Sequence, residues 1–415
     1  MNANPIIPVA RFFLCFALCL PALAAADVTV GSSGKTCGED PGCFNRLHSD
    51  VPMAARARPG ERILMIGRDA ADAYVDADAP PEPGEIEAIL DFGMAHALTG
   101  PVYIEGARVG DLLAVTIEKI DPGPVGWTDA SAFGFAASAV GYEERFILWR
   151  LNAEFAESDD LPGVRIPNAS FPGVVTTLPG PGQVQQVLQR EQELADAGGT
   201  VFLPDESSAK PSSLCGAEGT KPGECLRTIP PREFGGNMDI RYLGVGVTIY
   251  LPCHVEGCGL AIGDFHYAQG DGEVSGTAIE MDADITVTTQ IVRNGPNLSR
   301  GPHYFGPSSL LDIPSGRFYA TTGFPLKNAG DVPPDIEYLA SAKVAGLTNL
   351  SKDVNLAAQN ALVSMIDHIV DEYGYDRTQA YMIASVAVDL RIGQLVDAPN
   401  VGVTAILPLD IFVDR

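Results

Sequence analysis

The chain is poor in imidazole and in positive charge. Of its 415 residues six are histidine, and 27 lysines and arginines stand against 53 aspartates and glutamates, a formal net charge of −26. So acidic a surface repels phosphate backbones and anionic lipid, which excludes nucleic acid and membrane as favoured partners and leaves a neutral or cationic small molecule acceptable. No C-x-x-C spacing supports a structural zinc ribbon. No G-x-S-x-G elbow offers a serine nucleophile. In GSSGKT, Gly31 to Thr36, the first glycine stands too close to the lysine for a phosphate loop, and the stretch reads as a loop. Beyond the first 26 residues no apolar run is long enough to span a bilayer.

What is present begins with a secretory signal over residues 1–26: Arg11, a short apolar run from Phe12 to Leu20, then Ala22, Ala24 and Ala26. It predicts a secreted or periplasmic protein. Cys15 and Cys19 leave with the signal, and the other six cysteines lie in three close pairs. In an oxidising compartment, proximity predicts the disulfides Cys37–Cys43, Cys215–Cys225 and Cys253–Cys258.

Period-two patterning dominates the first two thirds. In Leu112–Ile120, Leu113, Val115 and Ile117 share one face and Thr116 and Glu118 the other. In Asp284–Val292, Ile285, Val287 and Ile291 alternate with threonine and glutamine. Tyr242–Pro252 reads as a further strand whose glycines suggest a bend. Asp76–Glu85 and Pro204–Glu224 read as exposed insertions. The C-terminal part turns helical: Ser351 is a candidate N-cap, Gly374 a stop, and Ala358, Leu362, Met365, Ile366 and Ile369 fall on one face. A second helix follows from Arg377 to about Leu390. The expectation is an α+β, mostly β protein. A jelly-roll or sandwich-like β body over 27–345 precedes a helical hairpin over 351–392 and a terminal strand over 400–413, all in one domain from 27 to 415.

Chemistry concentrates in GDFHYAQGDGE, Gly263 to Glu273. Residues two apart on a strand share a face, so Asp264 and His266 can point into one space. If the chain stays extended after the turn, Asp271 and Glu273 can share a face too, with Gly270 and Gly272 allowing a tight fold between the pairs. One imidazole with several carboxylates is a divalent-metal set, and a carboxylate left over can act as a general base. The same composition also suits a plain tight turn. Asn237 and Asp239 lie two apart behind paired glycines, and His96, Glu105 and Asp111 share a further segment.

Four blocks taken together, LTGPVYIEGARVGDLL, FGGNMDIRYLGVGVTIYLP, IGDFHYAQGDGEVSGTAIE and DLRIGQLVDAPNVGVTAILP, resemble the acetamidase/formamidase family in order and spacing. The resemblance covers the chain from about Pro52 onward. It implies a mostly β, oligomeric hydrolase of short aliphatic amides that releases a carboxylate and ammonia with the help of a bound metal. On that basis His96, Asp264 and His266 are the expected ligands, with Asp239 as a fourth or as an orienting group. Zinc is the expected ion, with calcium or magnesium if carboxylates dominate. Glu273 is the expected general base, with Glu105 second and Asp271 beside it, and Asn237 is placed to hydrogen-bond the substrate. In SDDLPGVRIPNASFPGV, Asp160 and Phe171 occupy positions where the family leads one to expect histidine. That departure motivates the alternative of an exported, non-catalytic metal- or ligand-binding member.

Overall fold

The computed structural model describes residues 27–73, 90–130, 134–196, 198, 201–295, 301–312, 315–323, scattered residues between 325 and 350, 353–394 and 402–413. The signal segment, the Asp76–Glu85 insertion and Ser351 lie outside the described residues.

The body is built on a 15-stranded, largely antiparallel sheet. Its spine is a pair of long strands, Leu112–Ala130 and Glu280–Val292, paired from Val292 opposite Leu112 to Glu280 opposite Trp127 with register shifts between Thr286 and Val287 and between Met281 and Ala283. The alternation read from the sequence sets this register. Leu113, Val115, Ile117, Ile285 and Val287 are all essentially inaccessible, and a one-residue slip would turn every one of them to the opposite face. Each contributes roughly 1.5–3 kcal/mol by leaving water. The Tyr242–Pro252 stretch is a strand only from Thr248, after a turn containing Gly246 at φ 91°.

The two C-terminal helices run Val354–Tyr373 and Arg377–Ala387. Asp353, not Ser351, caps the first by accepting from the Leu356 N–H, and Gly374 ends it at φ 74°. Asp376 and Gln379 form a reciprocal capping box at the start of the second. That helix stops at Ala387, short of the expected Leu390, because Val388 turns extended and leads into the strand Asp389–Gln394. This strand, Gly402–Pro408 and Phe318–Gly323 make a three-stranded antiparallel sheet. Leu362, Met365, Ile366 and Ile369 are fully buried, as helical periodicity requires, while Ala358 is half-buried.

Three disulfides join Cys37 to Cys43, Cys215 to Cys225 and Cys253 to Cys258. The last closes the turn that launches the strand Cys258–His266. All nine residues of that strand are buried, and it positions the site.

Candidate active site

The Cys258–His266 strand changes neighbour at Asp264. Up to Gly263 it pairs with Leu98–Ile104, Gly263 lying opposite Leu98. From Phe265 it pairs with Glu280–Val292, Phe265 opposite Met281 and His266 opposite Glu280. The sheet parts where one neighbour leaves and the other arrives. Asp264 sits at the fork with φ 56°, a left-handed conformation unusual for a residue with a Cβ. His96 immediately precedes the departing strand, and Glu280 opens the arriving one. On the other edge Phe171–Thr176 pairs with Cys258–His266 throughout. There Gly173 is the floor of the fork: a Cβ on it would stand 2.5 Å from Asp239 Oδ1, 2.6 Å from Asp264 Oδ2 and 3.0 Å from His266 Cε1.

Three acidic side chains reach this floor from backbone with positive φ: Asp264, Asp239 at 46° and Glu273 at 43°. Such conformations cost of order 1–3 kcal/mol each and persist where surrounding structure compels them. His266 Nε2 lies 3.3 Å from Glu280 Oε2, 3.5 Å from Asp264 Oδ1 and 3.9 Å from Glu273 Oε1. Its other nitrogen, Nδ1, is 2.9 Å from Gln269 Oε1, while Gln269 Nε2 donates to the Asp239 carbonyl. That orientation of the amide requires the proton on Nδ1 and aims Nε2 at the carboxylates. His96 stands at the rim, its Nε2 4.0 Å from Asp264 Oδ2 and its backbone N–H held by Thr228 Oγ1.

Burial and mutual repulsion shape the titration. Glu273 is pushed well above the usual carboxylate range, first by burial and then by Asp239. Asp239 is raised to about 6 by burial and by Asp264, and Glu280 is raised by burial against the pull of His266. Burial would raise Asp264 as well, but the imidazoles of His96 and His266 outweigh it and hold it to about 2. Burial would lower His266, yet Glu280 and Asp264 lift it well above the ordinary histidine value.

Four carboxyls around two imidazoles leave an excess of negative charge in a dry space, which is costly unless compensated. Asp239 Oδ1 and Glu280 Oε2 are buried acceptors without a hydrogen-bond partner among the described residues. Two sets of ligand atoms lie within 4.8 Å of one another: Asp239, His266 and Glu273, and the fully buried Asp264, His266 and Glu280. Orphaned acceptors, an imidazole nitrogen with its tautomer set from behind, and a floor kept free of a Cβ together fit a divalent cation.

A cavity of about 460 Å³ opens beside the cluster. His96, Asn237, Asp264, Glu273 and Glu280 line it, with Trp127, Phe135 and other apolar side chains. Asn237 Oδ1 is buried and has no partner among the described residues.

The structure therefore brings together His96, Asn237, Asp239, Asp264, His266 and Glu273. Two expected residues are corrected. Glu105 is 47% exposed and paired with Arg58. It follows the Leu98–Ile104 strand while His96 precedes it, and at about 3.3 Å per residue that separates them by roughly 25–30 Å. Asp271 turns away from Glu273 because Gly272, at φ 115°, and Glu273 break the extended alternation. Its carboxylate accepts from the Tyr242 hydroxyl and its N–H donates to Asp389. Asp160 is exposed, and Phe171 packs edge-on against His266 with ring centroids 5.0 Å apart. Sequence reasoning assigned no role to Glu280 or Gln269. Glu280 falls on the charged alternation Glu280, Asp282, Asp284, which reads as a solvent face; the available signal was its place at the end of the third block.

Comparison with known proteins finds relatives along most of the chain. Over 397 residues, 90% of each chain, the protein is 30% identical to the formamidase of Methylophilus methylotrophus. It is 30% identical over 370 residues to the acetamidase of Mycolicibacterium smegmatis, covering 82% of this chain and 84% of that one. Among solved structures, the gamma lactamase from Delftia acidovorans aligns at a TM-score of 0.80 with 26% identity over 93% of both chains. Fold, site and relatives define an enzyme of the amidase class. Residues 30–414 match the Acetamidase/Formamidase family, and the chain belongs to it.

Proposed function

We propose that the protein hydrolyses a carboxamide at the fork, with a divalent cation held by Asp264, His266 and Glu280 and closed in by Asp239 and His96. The observation carrying the reading is the convergence of Glu273, its proton affinity raised by burial, on a cluster in which Asp239 Oδ1 and Glu280 Oε2 lack partners among the described residues. The imidazole in the donor set favours zinc, and the carboxylates keep calcium and magnesium as alternatives. Bound there, the cation would supply the positive charge that polarises a carbonyl and eases ionisation of water.

The chain's own residues would do the rest. Glu273 is more open than the carboxyls beside His266, with 18% of its side chain accessible, against 2% for Glu280 and 3% for Asp264. It takes the proton from water as the oxygen attacks the carbonyl carbon. When the C–N bond breaks, its electron pair leaves on nitrogen and Glu273 returns the proton there, giving a carboxylic acid and ammonia, and the acid's remaining proton passes to the ammonia to leave carboxylate and ammonium. A raised pKa suits both directions of transfer near neutral pH. Asn237, which lines the cavity, would hydrogen-bond the substrate amide and orient it.

Ammonia release from formamide, acetamide and propionamide, with and without chelator, beside metal analysis of the purified protein, tests the reading. Turnover that is unaffected by complete metal removal would reject the cation. A bound cation with no turnover of any amide would favour the non-catalytic alternative, which rests on Phe171 packing where an imidazole is expected. The six paired cysteines support export to an oxidising compartment, and a mature N-terminus near Ala26 in a secreted or periplasmic fraction would establish it. A homo-oligomer is part of the same proposal, read out by solution mass.

A further inference from the structure

The cavity beside the fork is far larger than the smallest amides need. Its volume of about 460 Å³ falls within the roughly 300–1,000 Å³ used by drug-sized ligands. A four-heavy-atom amide fills only a small part of that, given that a water molecule takes roughly 30 Å³.

The apolar part of the cavity lining includes Leu90, Phe92, Trp127, Phe135, Phe202 and Ile229. Strand register fixes how this wall meets the chemistry. Trp127 lies directly opposite Glu280, so the indole stands one strand spacing from that carboxylate and shares its face of the sheet. Phe146 stacks on Trp127 at 5.3 Å between centroids and backs it. Trp127 Nε1 is buried and has no hydrogen-bond partner among the described residues. Filled only by formamide or acetamide, the aromatic wall would face trapped water.

We infer that the substrate is a ring-bearing carboxamide, aromatic or cycloaliphatic on its acyl side, whose ring packs against Trp127 and Phe135 while its amide lies over Glu273 and Asn237. This deepens the amide-hydrolysis reading and rests on it. The bond chemistry is unchanged: water's oxygen joins the acyl carbon, the C–N pair leaves on nitrogen, and Glu273 carries the proton between them. Only the acyl group differs.

The test compares phenylacetamide and cyclohexanecarboxamide with acetamide. Turnover is measured on the metal-loaded enzyme. Affinity is measured on the Glu273→Gln variant by tryptophan fluorescence, since Trp127 is one of two tryptophans. Burying a ring that water would otherwise surround predicts kcat/KM and affinity on the order of 100-fold higher for the ring amides. Phe135→Ala and Trp127→Phe are expected to narrow that ratio tenfold or more, and Phe135→Leu repeats the measurement if the alanine variant does not fold. Acetamide turned over as well as or better than the ring amides overturns the inference and leaves amide hydrolysis standing. A ratio unmoved by all three substitutions also overturns it. Tight binding of ring amides with no turnover of any amide upholds the pocket assignment and removes the hydrolysis reading. Failure of the ring amides to bind overturns the inference.

Discussion

Glu280 stands directly across the sheet from His266, with 3.3 Å between Oε2 and Nε2. Both side chains are almost completely buried. A carboxylate and an imidazole in that position either share a proton or share a cation. Substituting Glu280→Gln therefore separates cation binding from fold. Stoichiometric metal in the purified protein should fall at least tenfold, while the far-UV circular dichroism stays unchanged. Undiminished metal content in that variant would take Glu280 out of the ligand set.

Glu273 has a different role. Glu273→Gln retains size and hydrogen bonding but cannot accept a proton. Metal content should hold, and kcat should fall by about 10²–10⁴-fold, the range typical of a general base. A kcat within threefold of the parent would refute the assignment.

Gly173 tests the floor of the fork. An added methyl would meet Asp239 Oδ1 and Asp264 Oδ2 at about 2.5 Å, well inside contact distance. Gly173→Ala should weaken metal affinity at least tenfold, although the position is an ordinary strand residue otherwise suited to alanine. Unchanged metal affinity in an isothermal titration would show that the two carboxylates do not converge there.

Stability should depend on pH through Asp282, away from the site. Burial raises this carboxyl from 3.8 to about 6, against the hydrogen bond it accepts from the Asp69 N–H. Asp69 is itself raised by burial and by Asp282. In such a case the folded state keeps a proton that the unfolded chain has released. The associated stability is full below about pH 4 and is lost as pH rises through about 6. Asp282→Asn keeps the acceptor oxygen and removes the titration. It should be more stable than the parent at pH 8, by about 3 kcal/mol, with the difference vanishing near pH 4. Parallel stability curves in urea at the two pH values would contradict the assignment.

Cys215–Cys225 clips the long polar segment before the strand Leu226–Arg227. Replacing both cysteines by serine should cost about 2–3 kcal/mol, the loop-closure value for a ring of this size. Calorimetry would show it as a lower Tm, and a Tm that does not move would mean the segment is ordered without the bridge.

Much of the architecture was legible in the chain. Alternation in Leu112–Ile120 and Asp284–Val292 is a local signal, and it survives because those strands pair with each other along their length. The helices at Val354 and Arg377 carry their own caps and apolar faces. The site was only half legible. Asp264 and His266 were placed together by simple alternation, yet they reach the fork through a left-handed Asp264 that alternation does not describe. The same rule placed Asp271 beside Glu273, where Gly272 and Glu273 in fact send them apart.

The sequence by itself determined the mostly β body, the helical hairpin, the three cysteine pairs and the crowding of ligand-type side chains between Gly263 and Glu273, because each depends on neighbours a few residues apart. Tertiary structure alone decided that Glu280 joins His266, that Glu105 stands at the far end of a strand, and that Trp127 faces the same cavity. Those relations are set by hydrogen-bond register between distant strands and by the point where one strand exchanges its partner, and local periodicity carries no record of either.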